Sequence, residues 1–197
     1  SGTADDNLLA LNSINTIDYT LYVDTGGYYN AASRNFNSGT PVNNNAVAAV
    51  ANWSQWYSSG IPFVTGHSYT LTVRGTDKAG NVQTLFSVGT NSATFTFDNI
   101  APTSRVTFPA DGAIRSTVGT LLGTAGDATS SIPYAGVSIG RLESDGTTSY
   151  FKQGAPGAYL NTVIDGATEY FNPVTLPSPW SYTHPDMIFA SGKRYIV

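Results

Sequence analysis

An internal repeat constrains this fold more than any other feature of the sequence. Gly2-Thr3-Ala4-Asp5-Asp6 returns as Gly123-Thr124-Ala125-Gly126-Asp127, an offset of 121 residues, and Trp56 returns as Trp180 at 124. Phe63-Val64-Thr65-Gly66-His67-Ser68-Tyr69 then returns as Phe189-Ala190-Ser191-Gly192-Lys193-Arg194-Tyr195 at 126. Three matches in one order at nearly constant offset mark two copies of a single structural unit. A length of 197 residues accommodates two such units, since domains of about 100 residues can each bury a core. The drift in offset places about five extra residues in the second copy, between Asp127 and Phe189, where a loop absorbs them at little cost.

The copies differ at their outer ends. Residues 104–121 precede the second Gly-Thr-Ala element, whereas only Ser1 precedes the first; residues 70–98 follow the first Phe-x-x-Gly-x-x-Tyr element, whereas only Ile196-Val197 follow the second. The expectation is that the first copy lacks its opening strand and the second its closing strands. Either neighbouring chains supply them or the chain is an excerpt of a longer array. The start at Ser1-Gly2 rather than Met suits a processed or internal piece.

Composition specifies what each copy is made of. Charged residues are 11% of the chain, Glu occurs only at 143 and 169, and Tyr reaches 12. Strong helix formers are therefore scarce and strand formers abundant, which excludes a helical bundle. Strands are predicted over 17–23, 68–74, 93–97, 105–108, 136–142 and 194–197. In Tyr69-Thr70-Leu71-Thr72-Val73-Arg74, the residues Tyr69, Leu71 and Val73 share one face, and in the run 93–97 Phe95 and Phe97 point inward. Between these two runs Asp77-Lys78-Ala79-Gly80-Asn81 has the composition of a tight reversal: Asp77 accepts backbone N–H groups, Gly80 supplies a positive φ, and Asn81 tolerates one. The Asn- and Ala-rich stretch 41–52 reads as a long loop or one short helix. The net charge of −4 and dispersed basic residues offer nothing to a phosphate backbone or an anionic membrane. Cysteine is absent, which removes disulfide and thiolate chemistry, and no apolar run reaches the ~20 residues of a membrane span.

The ordered set Gly66-x-x-Tyr69-x-Leu71-x-Val73-Arg74-Gly75-x-Asp77-x-Ala79-Gly80-Asn81, followed by Phe95-x-Phe97-Asp98-Asn99-x-Ala101-Pro102-Thr103, resembles the bacterial Ig-like repeats of large cell-surface and adhesin-type proteins. The resemblance implies an all-β chain of two tandem Ig-like antiparallel β-sandwiches, residues 1–100 and 101–197, joined by a short Pro-containing linker over 98–103. Tyr69 then matches the corner tyrosine whose hydroxyl ties down a neighbouring loop. Such sandwiches host many unrelated functions.

Reactive constellations are sparse. The histidines, His67 and His184, lie in turn-like segments, and no nucleophile elbow, zinc-protease motif or phosphate loop occurs. Glu143 and Glu169 qualify as a carboxylate pair by type alone, so no enzymatic activity is expected. No cofactor is required. Calcium is the cation these residues could take, from Asp77, Asn81, Asp98, Asn99 and Asp127 gathered at the interdomain junction; the competing reading makes them turn and cap residues. Tyr28, Tyr29 and Trp53 could form an aromatic platform for sugar rings, whereas the repetition of Trp56 as Trp180 marks a core position. Asn52-Trp53-Ser54 fits a glycosylation sequon. The expectation is a structural segment of an extracellular bacterial surface or filament protein. Its partners would be neighbouring Ig-like domains or identical subunits, joined by strand addition; the alternative is an adhesive module for glycans or a host surface.

Overall fold

The computed structural model describes residues 1–4, 14–50, 53–153, 159–160, 170–175 and 178–197, and it is all-β, with no helix among these residues. It divides into two compact units, Ser1–Asn99 and Ile100–Val197.

Unit 1 holds β1 (Ile14–Val23), β2 (Gly27–Asn30), β3 (Asn35–Ser38), β4 (Asn44–Asn45), β5 (Val47–Ala48), β6 (Trp56–Tyr57), β7 (Ser68–Asp77) and β8 (Ser92–Thr96). The main sheet runs β3-β2-β1-β7-β8, with β4 also on β1, and β5 pairs with β6. β1 alternates with the two-residue period of a strand whose one face is covered: Ile17, Tyr19, Leu21 and Val23 are buried. They meet Tyr29, Ala46, Trp56 and Tyr69, and Leu71 and Val73 pack on the same cluster, as the pattern at 69–73 predicts. The stretch 41–52 contributes two short strands and no helix where it is described. The turn at Asp77 forms as expected, with Gly80 at φ 89°. Only the Thr76–Val82 bridge and the Gln83-to-Gly75 bond continue the reversal, and the chain then departs before β8 returns beside β7.

Unit 2 holds β9 (Thr103–Phe108), β10 (Leu121–Gly126), β11 (Gly136–Ser138), β12 (Gly140–Leu142), β13 (Thr148–Phe151), β14 (Tyr159–Leu160), β15 (Phe171–Pro173), β16 (Trp180–Tyr182) and β17 (Arg194–Ile196). Its sheets run β9-β10-β16, β11-β15 and β14-β13-β12-β17. The expected strand 136–142 is broken at Ile139 because its two halves serve different partners, β15 before the break and β13 with β17 after it. Ile139 is fully buried there, its carbonyl taken by the Phe151 N–H. With Leu121, Val137, Phe151, Trp180, Tyr182 and Met187 it forms the core.

The two units share a pairing pattern. Val23 opposite Tyr69 in unit 1 corresponds to Arg141 opposite Tyr195 in unit 2, and the β1–β2 hairpin corresponds to β12–β13. Gly2 faces Trp56 as Gly123 faces Trp180.

Candidate functional site

The repeated Phe-x-x-Gly-x-x-Tyr element folds into the same corner twice. In unit 1, Gly66 takes φ 84° to turn the chain into β7, a conformation that costs glycine nothing. The Phe63 ring meets the Tyr69 ring edge-on at 4.9 Å. The Tyr69 hydroxyl accepts the Val64 N–H at 2.8 Å and donates to the Val64 carbonyl at 3.3 Å. In unit 2, Gly192 takes φ 74°, Phe189 meets Tyr195 edge-on at 4.7 Å, and the Tyr195 hydroxyl accepts the Ala190 N–H at 2.7 Å. A ring contact, a loop tie and a positive φ within seven residues explain why the element recurs as a block.

β8 completes the corner in unit 1. Phe95 stacks on Tyr69 at 5.7 Å and Phe97 on Phe63 at 5.3 Å. The Gly66 N–H donates to the Phe97 carbonyl at 3.0 Å and the Phe97 N–H to the His67 carbonyl at 3.1 Å. Past the strand, the Thr65 hydroxyl accepts the Asn99 N–H at 3.0 Å and also meets the Asn99 side-chain oxygen. Across the corner, Asp24 accepts the Ser68 N–H at 2.8 Å and lies 2.8 Å from the His67 ring nitrogen. The Ser68 bond first, and His67 second, hold the Asp24 carboxyl below the usual carboxylate range. In unit 2, β17 is an end strand of its sheet among the described residues. Tyr69 is 1% exposed, whereas Tyr195 is half-buried.

Two further devices recur. A Cβ on Gly2 would lie 2.5 Å from the Trp56 ring, and one on Gly123 would strike both the Trp180 ring and the Arg105 carbonyl. The glycine and the tryptophan of the repeat are thus one packing pair, and both tryptophans are 5% exposed, as the repetition implied. The second device is a buried asparagine. Asn44 donates to the carbonyls of Tyr29, Val42 and Tyr19 at 3.0, 3.1 and 3.4 Å and accepts the Ala31 N–H at 2.7 Å. Asn172 donates to Phe151 at 3.0 Å and Val137 at 3.3 Å and accepts the Gln153 N–H at 2.8 Å. Each carboxamide satisfies backbone groups that leave the ladders. Sequence reasoning missed this pair, because Asn44 sits among Asn43 and Asn45 and the flanks of Asn172 share nothing with it.

The expected calcium ligands are placed apart within unit 1. Asp77 accepts both the backbone and side-chain N–H groups of Asn81 at 2.7 Å, which keeps its carboxyl below the usual range. Asn99 sits beside Thr65 at the opposite end of β7, and ten residues of strand separate the two ends by roughly 30 Å. These residues therefore do not converge, and half-buried Asp98 adjoins Asn99 rather than Asp77. In unit 2, Asp127 accepts the N–H groups of Thr129 and Ser130 at 2.8 Å, in the manner of a turn or cap. Among the described residues no three His, Asp or Glu side chains cluster as metal ligands would.

Tyr28 and Tyr29 do not share an exposed platform. Tyr29 is 2% exposed and belongs to the core, while Tyr28 points to the other face of β2 and packs on Tyr22 at 5.0 Å. Neighbours on a strand face opposite sides, so the pair cannot form one surface. Trp53 is half-buried against the core, with an uncommon φ of 60°. Glu143 is paired with Arg141 at 2.7 Å and Lys193 at 3.5 Å, and Arg141 chiefly holds its carboxyl low. Glu169, Asn52, Asp5 and Asp6 lie outside the described residues. A cleft of about 740 Å³ beside Gly2 and Trp56 is lined by Ile14, Ile17, Leu71 and Val73. At the corresponding place in unit 2, β9 flanks Gly123 and its Val106 packs on the core.

Compared with models of known families the chain matches none, and compared with curated proteins it finds no significant match.

Proposed function

We propose that this chain is a structural segment of an extracellular bacterial surface or filament protein, in which tandem Ig-like β-sandwiches extend, space or assemble the molecule. The observation that carries the reading is what the repeat preserves. The Gly–Trp pair, the buried asparagine and the Phe-Gly-Tyr corner recur at equivalent places in both units, and every one of them is a packing device. Selection that duplicates packing while leaving exposed side chains unmatched favours a module whose shape is its use. Each further unit adds length, and an edge strand left at a unit boundary offers a point of assembly by strand addition.

Electron microscopy of the native source material, labelled with an antibody to this chain, tests the proposal. Filaments or surface fibres with a repeating label are expected. Label confined to isolated particles, or to the interior of cells, overturns it. The adhesive alternative retains one residue, Trp53, whose left-handed backbone is an unusual conformation for a bulky side chain. Under that reading Trp53→Ala abolishes retention on a glycan array while leaving the melting temperature nearly unchanged; under the structural reading the array shows no retention to lose.

A further inference from the structure

Two Asp-Gly pairs of unit 2 sit at exposed turns, Asp111-Gly112 between β9 and β10 and Asp145-Gly146 between β12 and β13. A third, Asp165-Gly166, lies outside the described residues. Both described glycines take a positive φ, 67° and 85°, and a Cβ on either would meet nothing within 4 Å. Sterically the two pairs are alike, and hydrogen bonding sets them apart. At the second turn the Asp145 carboxylate accepts the Thr147 N–H at 3.0 Å and the Thr147 hydroxyl at 2.7 Å, and the Gly146 N–H donates to the Glu143 carbonyl at 3.2 Å. The first turn is closed by the Ala113 N–H on the Ala110 carbonyl at 3.1 Å, a bond that spans the Asp111–Gly112 peptide without using it. Among the described residues, neither the Asp111 carboxylate nor the Gly112 N–H is drawn into a hydrogen bond.

We propose that Asp111-Gly112 is a modification site, at which the chain cyclises to a succinimide and reopens as isoaspartate, and that the bonds around Asp145 shield the second pair from the same chemistry. In the first step the Gly112 nitrogen attacks the side-chain carboxyl carbon of Asp111. A C–N bond forms, the C–OH bond of the protonated carboxyl breaks, and the hydroxyl leaves as water with the amide proton. In the second step one water adds to the ring. Opening at the former side-chain carbonyl restores aspartate; opening at the main-chain carbonyl leaves the chain running through Cβ and Cγ, with a free α-carboxylate. The water released first is taken up again, so no other reactant is consumed. Glycine leaves the attacking nitrogen unshielded, and a turn of exposed residues outside any strand ladder lets the backbone follow. At Asp145 ring closure must first release three hydrogen bonds. The Thr147 hydroxyl, foremost among the causes, also holds that carboxyl below its usual range, away from the protonated form that loses water. The product adds one backbone carbon to the Ala110–Ala113 turn, while β9 and β10 on either side stay paired, Phe108 opposite Leu122. The mark accumulates with the age of the chain.

The test incubates the whole folded protein in warm, mildly acidic buffer, digests it with trypsin, and labels the peptides with an isoaspartyl carboxyl methyltransferase and a labelled methyl donor. Arg115, Arg141 and Lys152 separate the three Asp-Gly pairs onto different tryptic peptides. Label on the Asp111 peptide is expected to exceed that on the Asp145 peptide about ten-fold or more, the factor in rate imposed by one hydrogen bond that must be broken. Asp111→Glu, whose longer side chain does not close the five-membered ring, should remove the label from its peptide. Thr147→Val should raise labelling at Asp145 about ten-fold. In the urea-unfolded chain the two peptides should label alike. No label at Asp111, or equal label at both pairs of the folded protein, overturns the inference. So does a preference for Asp111 that persists unchanged in urea, because neighbouring sequence and not the fold would then set it. Unchanged labelling at Asp145 in Thr147→Val overturns the shielding.

Discussion

Unit 1 and unit 2 are built around the same three devices and finished differently. At the corner, unit 1 adds β8, and Tyr69 is sealed under Phe95; in unit 2 β17 is an end strand of its sheet among the described residues, and Tyr195 is half-buried. At the Gly–Trp pair the asymmetry reverses, for Gly123 is enclosed by Trp180 on one side and β9 on the other, whereas among the described residues Gly2 meets Trp56. The same packing device therefore recurs beside different neighbours among the described residues. Recurrence marks what holds a unit together.

The Gly–Trp pair gives the largest way to break the comparison. Gly123→Val drives a side chain into the Trp180 ring and into the Arg105 carbonyl, which cannot swing aside. Denaturant unfolding should show unit 2 destabilised by about 3 kcal/mol or more. Gly2→Val meets, among the described residues, the Trp56 ring and no backbone atom, and should cost unit 1 about 1–2 kcal/mol. Equal losses would mean that β9 adds no rigidity to the pair.

The asparagines come next. Asn44→Ala and Asn172→Ala each strand buried carbonyls and one N–H, and each should lower stability by about 2–3 kcal/mol in its own unit. Amide exchange, followed unit by unit, checks whether the two losses match. A loss below about 0.5 kcal/mol in one unit alone would end the claim that the ties are equivalent.

Tyrosine hydroxyls sharpen the comparison on a finer scale. Tyr69→Phe removes a hydroxyl bonded at 2.8 Å and should cost about 1 kcal/mol. Tyr182 has a buried hydroxyl with no bonding partner among the described residues, and burial pushes its pKa up to about 12. Tyr182→Phe should therefore be neutral or slightly stabilising by thermal melting.

The smallest effect concerns acid. Asp24 and Asp77 in unit 1, and Glu143 and Asp145 in unit 2, have carboxyls held below their ordinary range by hydrogen bonds, led by Ser68, Asn81, Arg141 and Thr147 respectively. The unfolded chain binds protons at these groups more readily than the folded one, so their contribution is present above the ordinary carboxylate range. It is lost as pH falls through the folded values. Urea midpoints measured across pH 2–6 should decline towards acid, and Asp24→Asn should flatten the slope for unit 1 alone.

Much of this was legible beforehand, for reasons that differ by residue. The Tyr69–Val73 alternation, the Asp77–Asn81 turn and the repetition of Trp56 were readable because each is governed by near neighbours or by duplication. The opposed faces of Tyr28 and Tyr29 follow from strand periodicity once β2 is known to be a strand. The scattering of the calcium candidates follows only from the length of β7. Asn44 and Asn172 were not legible at all, since nothing adjacent to either residue announces the strands whose carbonyls it must satisfy.

Sequence alone determined that the chain is all-β, that two copies of one pattern lie in it, and that the turn and corner motifs would form. Those are local matters, decided by φ preferences, side-chain alternation and contacts within about seven residues. Tertiary structure alone decided which tyrosine is sealed, which glycine is enclosed from both sides and which asparagines are buried. Each of these depends on strands brought from tens of residues away, and backbone groups left outside a ladder accept whichever distant partner the packing delivers.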